Sequence, residues 1–499
     1  MRPSRSPPVS GGEWAAVIGG ILILVDWIIR IIALIVIPRE RKPTAAMAWL
    51  LAIFLIPFVG ILLYLLIGNI RLPKQRTARQ EEADRMIAER AEGLDLVTDH
   101  EAWPAWFASA VAQNTRLTGL PVTSGNRATL IDDYQGSIDA MAADVATATR
   151  FVHVEFFIVA FDDTTRGFFA AMEAAVRRGV KVRLLMDHIA SAKVPLHKAT
   201  IAELDRIGVE WHYLLPVRPL KGEWQRPDLR NHRKIVVVDG LVGHMGSQNL
   251  IDRTYDSPKN VKRGLMWQEL VARVTGPAVA ELNAVFRSDW YAETGEVLGE
   301  EWNTPATAIA VDTSLDALDC QVVPSGPAFE IENNLRQFLT LVNSAQEQVI
   351  ITSPYFVPDE AMVYAITSAK LRGLDVQLFV SEIGDQGGVW HAQRSYYRAL
   401  LQAGVRIWLY PGPYILHSKH LSIDDDVAVI GSSNMDIRSF ALNFEVTLLV
   451  RGASFVADMR EVEAKYRELG RELTLEEWDR EPASATFLDG IARLTSALQ

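Results

Sequence analysis

Two stretches decide how this chain is read: Asn231–Asn249, NHRKIVVVDGLVGHMGSQN, and Leu416–Asn434, LHSKHLSIDDDVAVIGSSN. Each sets two short apolar runs around a turn signal, Asp239-Gly240 in the first and Asp425-Asp426 in the second, the pattern of a β-hairpin. Both carry His-x-Lys-x-x-x-x-Asp, as His232, Lys234, Asp239 and His417, Lys419, Asp424. Both follow it with Gly-Ser-x-Asn, as Gly246, Ser247, Asn249 and Gly431, Ser432, Asn434. One offset of 185 positions relates His232 to His417 and Asn249 to Asn434. A single short motif of this kind is a frequent accident. Two copies in matching hairpins, each with the same second motif at the same distance, are poorly explained by chance.

Working outward, the repeat grows. Residues 151–163 read FVHVEFFIVAFDD and lead through a helical stretch to AAVRRGVKVRLLMD at 174–187. Residues 349–360 read VIITSPYFVPDE and lead through another to SAKLRGLDVQLFVSE at 368–382. Each is a strand, a helix closed by Arg-Gly and a second apolar strand, the βαβ unit of a parallel sheet. Gly179 and Gly373 sit where helix C-caps fall. The expected architecture is therefore α/β, with two pseudo-symmetric halves of similar build facing each other.

The spacing also has chemical meaning. Residues two apart on a strand share a face, so His232 and Lys234 are expected to point into one space, with Ser247 and Asn249 doing the same from the adjacent strand. Each half then offers an imidazole, an ammonium, a hydroxyl and an amide to a common cleft. That set suits a phosphate: the lysine and amide hold its oxygens, and a histidine serves as nucleophile or proton donor. Glu269, in MWQELVARV, and Glu445, in NFEVTLLV, fall on apolar strand-like stretches after the motifs. A carboxylate there is costly unless paired, and an imidazole needs a partner to fix its tautomer. Each glutamate is expected to orient a histidine, of its own half or the opposite one.

The N-terminal segment is different in kind. Residues 14–37 are apolar apart from Asp26 and Arg30, and as a helix they span about 36 Å, enough to cross a bilayer. Asp26 and Arg30 are four apart and can neutralise each other on one helical face. A second apolar run, 45–67, contains Pro57 and Gly60, and a connector as short as 38–44 makes the expected arrangement a transmembrane hairpin. Its length and the absence of a cleavage site argue against a signal peptide. Arg2 and Arg5 precede the first span and Arg71, Lys74, Arg76 and Arg79 follow the second, against Arg39, Arg41 and Lys42 between them. The positive-inside rule then puts both ends, and the catalytic body, on the cytoplasmic side of a cell membrane. Residues 76–96, rich in Glu, Arg and Ala, read as a solvated charged linker. A formal charge of −11 argues against a nucleic-acid partner, and the single Cys320 excludes an intrachain disulfide and a cysteine-based zinc site.

The paired motifs resemble those of the phospholipase D superfamily from about residue 110 to the C-terminus. Within it the chain is most similar to bacterial cardiolipin synthases, through Asn231-His232-Arg233-Lys234, the run Arg438-Ser439-Phe440 with Asn443 and Glu445, and the helical hairpin with Trp49, Pro57, Gly60 and Tyr64. The resemblance implies phosphatidyl transfer without a metal or organic cofactor. One histidine forms a phosphohistidine, the other protonates the leaving alcohol, and phosphatidylglycerol is both donor and acceptor, giving cardiolipin and glycerol. By analogy His232 attacks and His417 is acid and base. Hydrolysis, or transfer to another alcohol, would use the same residues. The implied layout is a tail at 1–13, the transmembrane hairpin at 14–68, a linker at 69–109, and phospholipase D-like halves at 110–305 and 306–499. Asp239 and Asp424 belong to the catalytic motif but, at the strand–turn junctions, read better as hairpin supports. Arg253 and Arg438 match at the common offset and are candidates for head groups or, equally, for structural salt bridges. His244 and His420 flank the motifs on strands, where alternation turns them from the cleft, and His153, His188, His197, His212 and His391 show no usable ligand spacing.

Overall fold

The computed structural model describes residues 11–39, 43–68, 76–80, 82, 85, 103–221, 223, 225–299, 309–329 and 332–494. It divides into two units, Met1–Arg71 and Leu72–Gln499.

In the first unit a helix, Gly11–Val36, tightens into a 3-10 turn at Ile37–Arg39. The stretch Trp14–Arg39 is long and apolar enough to cross a membrane, and Arg30 Nε meets Asp26 Oδ2 at 2.9 Å, as their spacing requires. The second run is not one helix. Pro43–Leu55 stops, Ile56 leaves the helical region (φ −135°, ψ +74°), and Pro57–Leu63 begins anew. Pro57 causes the break: without an N–H it fits the first position of a helix and not an interior one. The expected span at 45–67 is thus two shorter apolar helices, and residues 40–42 of the connector lie outside the described residues. Gly60 lets the pieces close up, since a Cβ there would come within 2.8 Å of the Ala52 carbonyl.

The second unit carries twenty strands among its described residues. Nine precede residue 300: β1 (Thr123–Ile131), β2 (Phe151–Phe156), β3 (Lys181–Asp187), β4 (Glu210–Leu214), β5 (Arg230–Asn231), β6 (Ile235–Val238), β7 (Val242–Gly246), β8 (Met266–Gln268) and β9 (Val271–Thr275). Eleven follow: β10 (Leu318–Ser325), β11 (Gln348–Thr352), β12 (Phe356–Val357), β13 (Asp375–Ser381), β14 (Arg406–Tyr410), β15 (Tyr414–Leu416), β16 (His420–Ile423), β17 (Val427–Gly431), β18 (Met435–Asp436), β19 (Asn443–Arg451) and β20 (Arg471–Leu473).

The βαβ units form as expected. β2, β3 and β4 run parallel in one half and β11, β13 and β14 in the other. The leading strands β2 and β11 are buried on both faces, which is why they read as apolar runs. The hairpins β6–β7 and β16–β17 pair antiparallel beside them. Two separate sheets do not form, however. One sixteen-stranded sheet runs through both halves and is joined where β1 pairs with β10.

Two further segments depart from the expected layout. The helix Ala105–Thr118 opens the first half yet buries Phe107, Ala110 and Val111 in one core with Leu335 and Phe338 of the second. Nor is the start of the linker solvated: Arg76 pairs with Glu293 at 2.7 Å and Gln80 donates to Ser288 Oγ at 2.9 Å, all buried or nearly so.

Candidate active site

The halves exchange short strands at their meeting point. β5 of the first half pairs parallel with β19 of the second, setting Asn231 beside Phe444. β15 of the second half pairs parallel with β8 of the first, setting Leu416 beside Gln268. One residue further along these registers, His232 faces Glu445 and His417 faces Glu269. The backbone N–H of His232 donates to Phe444 O at 2.8 Å, and that of His417 to Gln268 O at 2.7 Å. The signature histidines therefore do not sit on the hairpin strands, as the spacing suggested. Residues 232–234 and 417–419 bridge a crossing strand and a hairpin strand.

Both histidines reach a carboxylate of the opposite half. His232 Nδ1 lies 3.0 and 3.1 Å from the Glu445 oxygens and 3.0 Å from Ser432 O. His417 Nδ1 lies 2.8 and 2.9 Å from those of Glu269. With only acceptors around it, Nδ1 of His232 carries the hydrogen and its Nε2 keeps a lone pair. Lys234 Nζ and Lys419 Nζ donate to the carbonyls of His232 and His417. All six side chains are buried.

Burial in so charged a space shifts every group. Desolvation pushes Lys234 down to about 7, with Lys419 repelling it further, and pushes Lys419 down to about 8. Desolvation pushes His232 down to about 4 against the pull of Glu445. It works to raise Glu445 as well, but His232, Lys234 and the Ser432 hydroxyl outweigh it and hold that carboxyl below its usual range. At the other pair desolvation wins: Glu269 is raised to about 8, and His417 falls well below its ordinary value. The two members of that pair contend for one proton, and burial of the carboxylate favours keeping it.

Residues 143–290 and 338–466 match the family described as cardiolipin synthase, PLD-like domain, and residues 28–69 match the phospholipase D-nuclease N-terminal family. The chain is 33% identical over 476 residues to "Cardiolipin synthase A" of Yersinia pseudotuberculosis serotype O:1b (strain IP 31758), covering 94% of this chain and 95% of that one. The Yersinia pestis protein of the same name is equally similar. The chain belongs to the cardiolipin synthase family. It is accordingly an enzyme of the phosphatidyltransferase class with two phospholipase D-like repeats. A crystal structure of phosphatidylserine synthase from Haemophilus influenzae Rd KW20 superposes with a TM-score of 0.57 at 15% identity, over 78% of this chain and 99% of that one, and shares the fold.

The remaining motif residues of this cardiolipin synthase family member fall into two groups. The serines serve the glutamates. Ser432 Oγ donates to Glu445 at 2.5 Å, and Ser247 Oγ bonds the backbone of Leu270 at 2.9 and 3.2 Å and touches the Glu269 carboxyl. Gly246 and Gly431 make that approach possible, since a Cβ at either would stand 2.3 Å from the carbonyl of Leu270 or Val446. Asn249 donates to the Tyr255 hydroxyl at 2.8 Å, and the backbone N–H of Asn434 donates to Ser439 Oγ at 3.2 Å.

The aspartates leave the site altogether, which corrects their inclusion among catalytic groups. Asp239 accepts from the backbone N–H groups of Thr149, Arg150 and Phe151 at 2.8–2.9 Å. Asp424 accepts from those of Gln346, Glu347 and Gln348 at 2.8–3.0 Å. Both take left-handed backbones, φ +53° and +47°, and pin the hairpin turns to the segments entering β2 and β11.

Other candidates are dispersed. His244 pairs with Asp144 at 2.6 Å, His420 with Thr352 Oγ1 at 3.0 Å and His153 with Asn283 at 2.8 Å. Arg253 lies over the rings of Tyr134 and Tyr414, whereas Arg438 donates to Asp228 O at 2.6 Å, so their common offset is not a common environment.

Sequence reasoning missed the buried network behind His232. Arg233 contacts Asp289 and donates to Glu445 O at 3.0 Å, Asn231 donates to Glu155 at 2.9 Å, and Arg230 pairs with Asp187 at 3.1 Å. The signal was present. Glu155 and Asp187 fall in apolar, strand-like sequence just as Glu269 does.

Proposed function

We propose that the enzyme makes cardiolipin from two phosphatidylglycerol molecules through a phosphohistidine on His232. The crossed pairs, His232 with Glu445 and His417 with Glu269, are the observation that carries this reading. His232, unprotonated above about pH 4, supplies the lone pair of Nε2 to phosphorus. The bond from phosphorus to the headgroup oxygen breaks, and the His417–Glu269 pair, still holding its proton at neutral pH, protonates the departing glycerol. A headgroup hydroxyl of the second phosphatidylglycerol then returns a proton to that pair and attacks phosphorus, releasing cardiolipin and free His232. Lys234 and Lys419 hold the phosphate oxygens, with the Asn249 and Asn434 amides beside them.

The N-terminal unit supports a membrane anchor. We read Trp14–Arg39 as one span and the two shorter helices, broken at Pro57, as the return limb of a hairpin in the cell membrane, with the halves at about 110–305 and 306–499 in the cytoplasm. The basic residues flanking the hairpin favour that orientation.

The test is to incubate the purified full chain with phosphatidylglycerol vesicles and follow both products. Cardiolipin and glycerol in equal amounts are expected, and phosphatidic acid as the main product would replace this reading with hydrolysis. His232→Ala and His417→Ala should each lower turnover by about a thousandfold or more. Near-normal turnover in either refutes the two-histidine scheme.

A further inference from the structure

The Glu269–His417 pair has a support that none of the motifs contains. Glu445 is held by three side-chain donors besides His232: Ser432 Oγ at 2.5 Å, Ser439 Oγ at 2.8 Å and Asn443 Nδ2 at 3.4 Å. At Glu269 the Ser247 hydroxyl is shared with the Leu270 backbone. The group that takes the place of Ser439 is the phenol of Tyr255, 3.4 Å from Glu269 Oε1.

The direction of that bond follows from its neighbours. Asn249 Oδ1 accepts the backbone N–H of Ile158 at 3.2 Å, which turns the amide so that Nδ2 faces Tyr255. Nδ2 donates to the phenol oxygen at 2.8 Å. A hydroxyl has one proton to give, and with its oxygen occupied as acceptor that proton goes to Glu269. Burial raises the phenol well above its usual value, so it stays a donor throughout the working range.

The backbone beneath is unusual. Tyr255 and Asp256 have φ of +58° and +49°, two consecutive left-handed residues and neither a glycine, a conformation that persists only where its surroundings impose it. They do so here. Asp252 accepts from Thr254 N at 2.8 Å, Tyr255 N donates to Asp252 O at 2.8 Å, and the Tyr255 ring packs on Trp267 at 4.7 Å, two residues before Glu269.

We propose that Tyr255 is a positioning residue for the His417 proton donor, held by Asn249 and a strained turn so that its hydroxyl orients Glu269 and eases release of the shared proton. This rests on the reading of His417 as acid and base. A phenol donating to the carboxylate stabilises the ionised pair. Without it the proton is held more tightly and is given up less readily to the leaving alcohol. The charged and titratable groups facing Glu269 are His417, Lys419, Lys234, Tyr255 and, further off, Tyr134 and Tyr466. In the enzyme–substrate complex the phosphate keeps both lysines charged, so the alkaline limb of kcat reports the pair.

Tyr255→Phe keeps the ring and removes only the hydroxyl, and the full-length chain is assayed on phosphatidylglycerol vesicles beside His417→Ala. The expected result for Tyr255→Phe is a fall in kcat of about tenfold, the scale of one hydrogen bond to a charged group. KM should stay within about twofold, and the alkaline limb of kcat should move up by about half a unit or more. An inactive His417→Ala with an unmoved limb in Tyr255→Phe overturns the inference alone. An active His417→Ala overturns the underlying reading, and the inference with it.

Discussion

The two halves carry one motif and surround it differently. In the second half three donors converge on Glu445, and the histidine it serves is neutral above about pH 4, with Nε2 unprotonated. In the first half Glu269 has a shared serine and a longer bond from Tyr255, and desolvation raises it to about 8. Because the strands cross, each half supplies the carboxylate for the other half's imidazole. In the proposed mechanism a duplicated site thereby acquires an attacking member and a proton-carrying member without changing the motif. What differs is how well each carboxylate is stabilised as an anion, the rule by which paired groups take acid and base roles.

The largest expected difference lies in removing those charges singly. Glu445→Gln takes the anion from beside His232 and allows the wrong tautomer, and turnover should fall by about a thousand- to ten-thousandfold. Glu269→Gln replaces a carboxyl that already shares a proton at neutral pH, so its loss should be at least about tenfold smaller. Steady-state turnover of both variants at pH 7 decides this. Equal losses would mean that the halves are chemically interchangeable.

A second contrast concerns what lies beneath the histidines. Arg233, fully buried, ties Asp289 to the backbone of Ser325 and Glu445, joining the first half to β10 and β19. The residue at the same offset is Ser418, whose hydroxyl accepts from the Tyr466 hydroxyl at 3.1 Å. Arg233→Ala leaves Asp289 buried beside Glu155 without its cation and should cost about 3–5 kcal/mol. Ser418→Ala should cost about 1 kcal/mol. Chemical denaturation of the two variants measures the gap, and similar midpoints would show that the network does not brace the site.

This contrast also marks how much could be read beforehand. The repeat, the βαβ units and the residues that meet at the site follow from spacing and from the cost of burying a carboxylate. The crossed strands do not, because β5, β8 and β15 are two or three residues long and leave no periodic pattern. Their absence from the sequence reading is why the histidines were expected on hairpin strands and the glutamate partners were left open. Tyr255 was hidden for another reason: its role depends on a left-handed backbone that no residue type there announces. The continuous sheet was equally invisible, since pairing of β1 with β10 joins segments nearly two hundred residues apart.

The smallest effect separates the two lysines. In the free enzyme Lys234 sits at about 7 and Lys419 at about 8, and each must be charged to receive a phosphate. Both values are depressed, so raising the pH through 7 discharges Lys234 first and Lys419 next. KM should rise and kcat/KM should fall in that order, while kcat changes less because bound phosphate restores both charges. Arginine stays protonated throughout. Lys234→Arg should therefore delay the onset of the fall in kcat/KM by about one unit, to the point where Lys419 and the Glu269 pair begin to discharge. Lys419→Arg should leave that onset near 7, because Lys234 still discharges first. If both substitutions move the onset equally, the lysines titrate as equivalents and the inequality between the halves stops at the carboxylates.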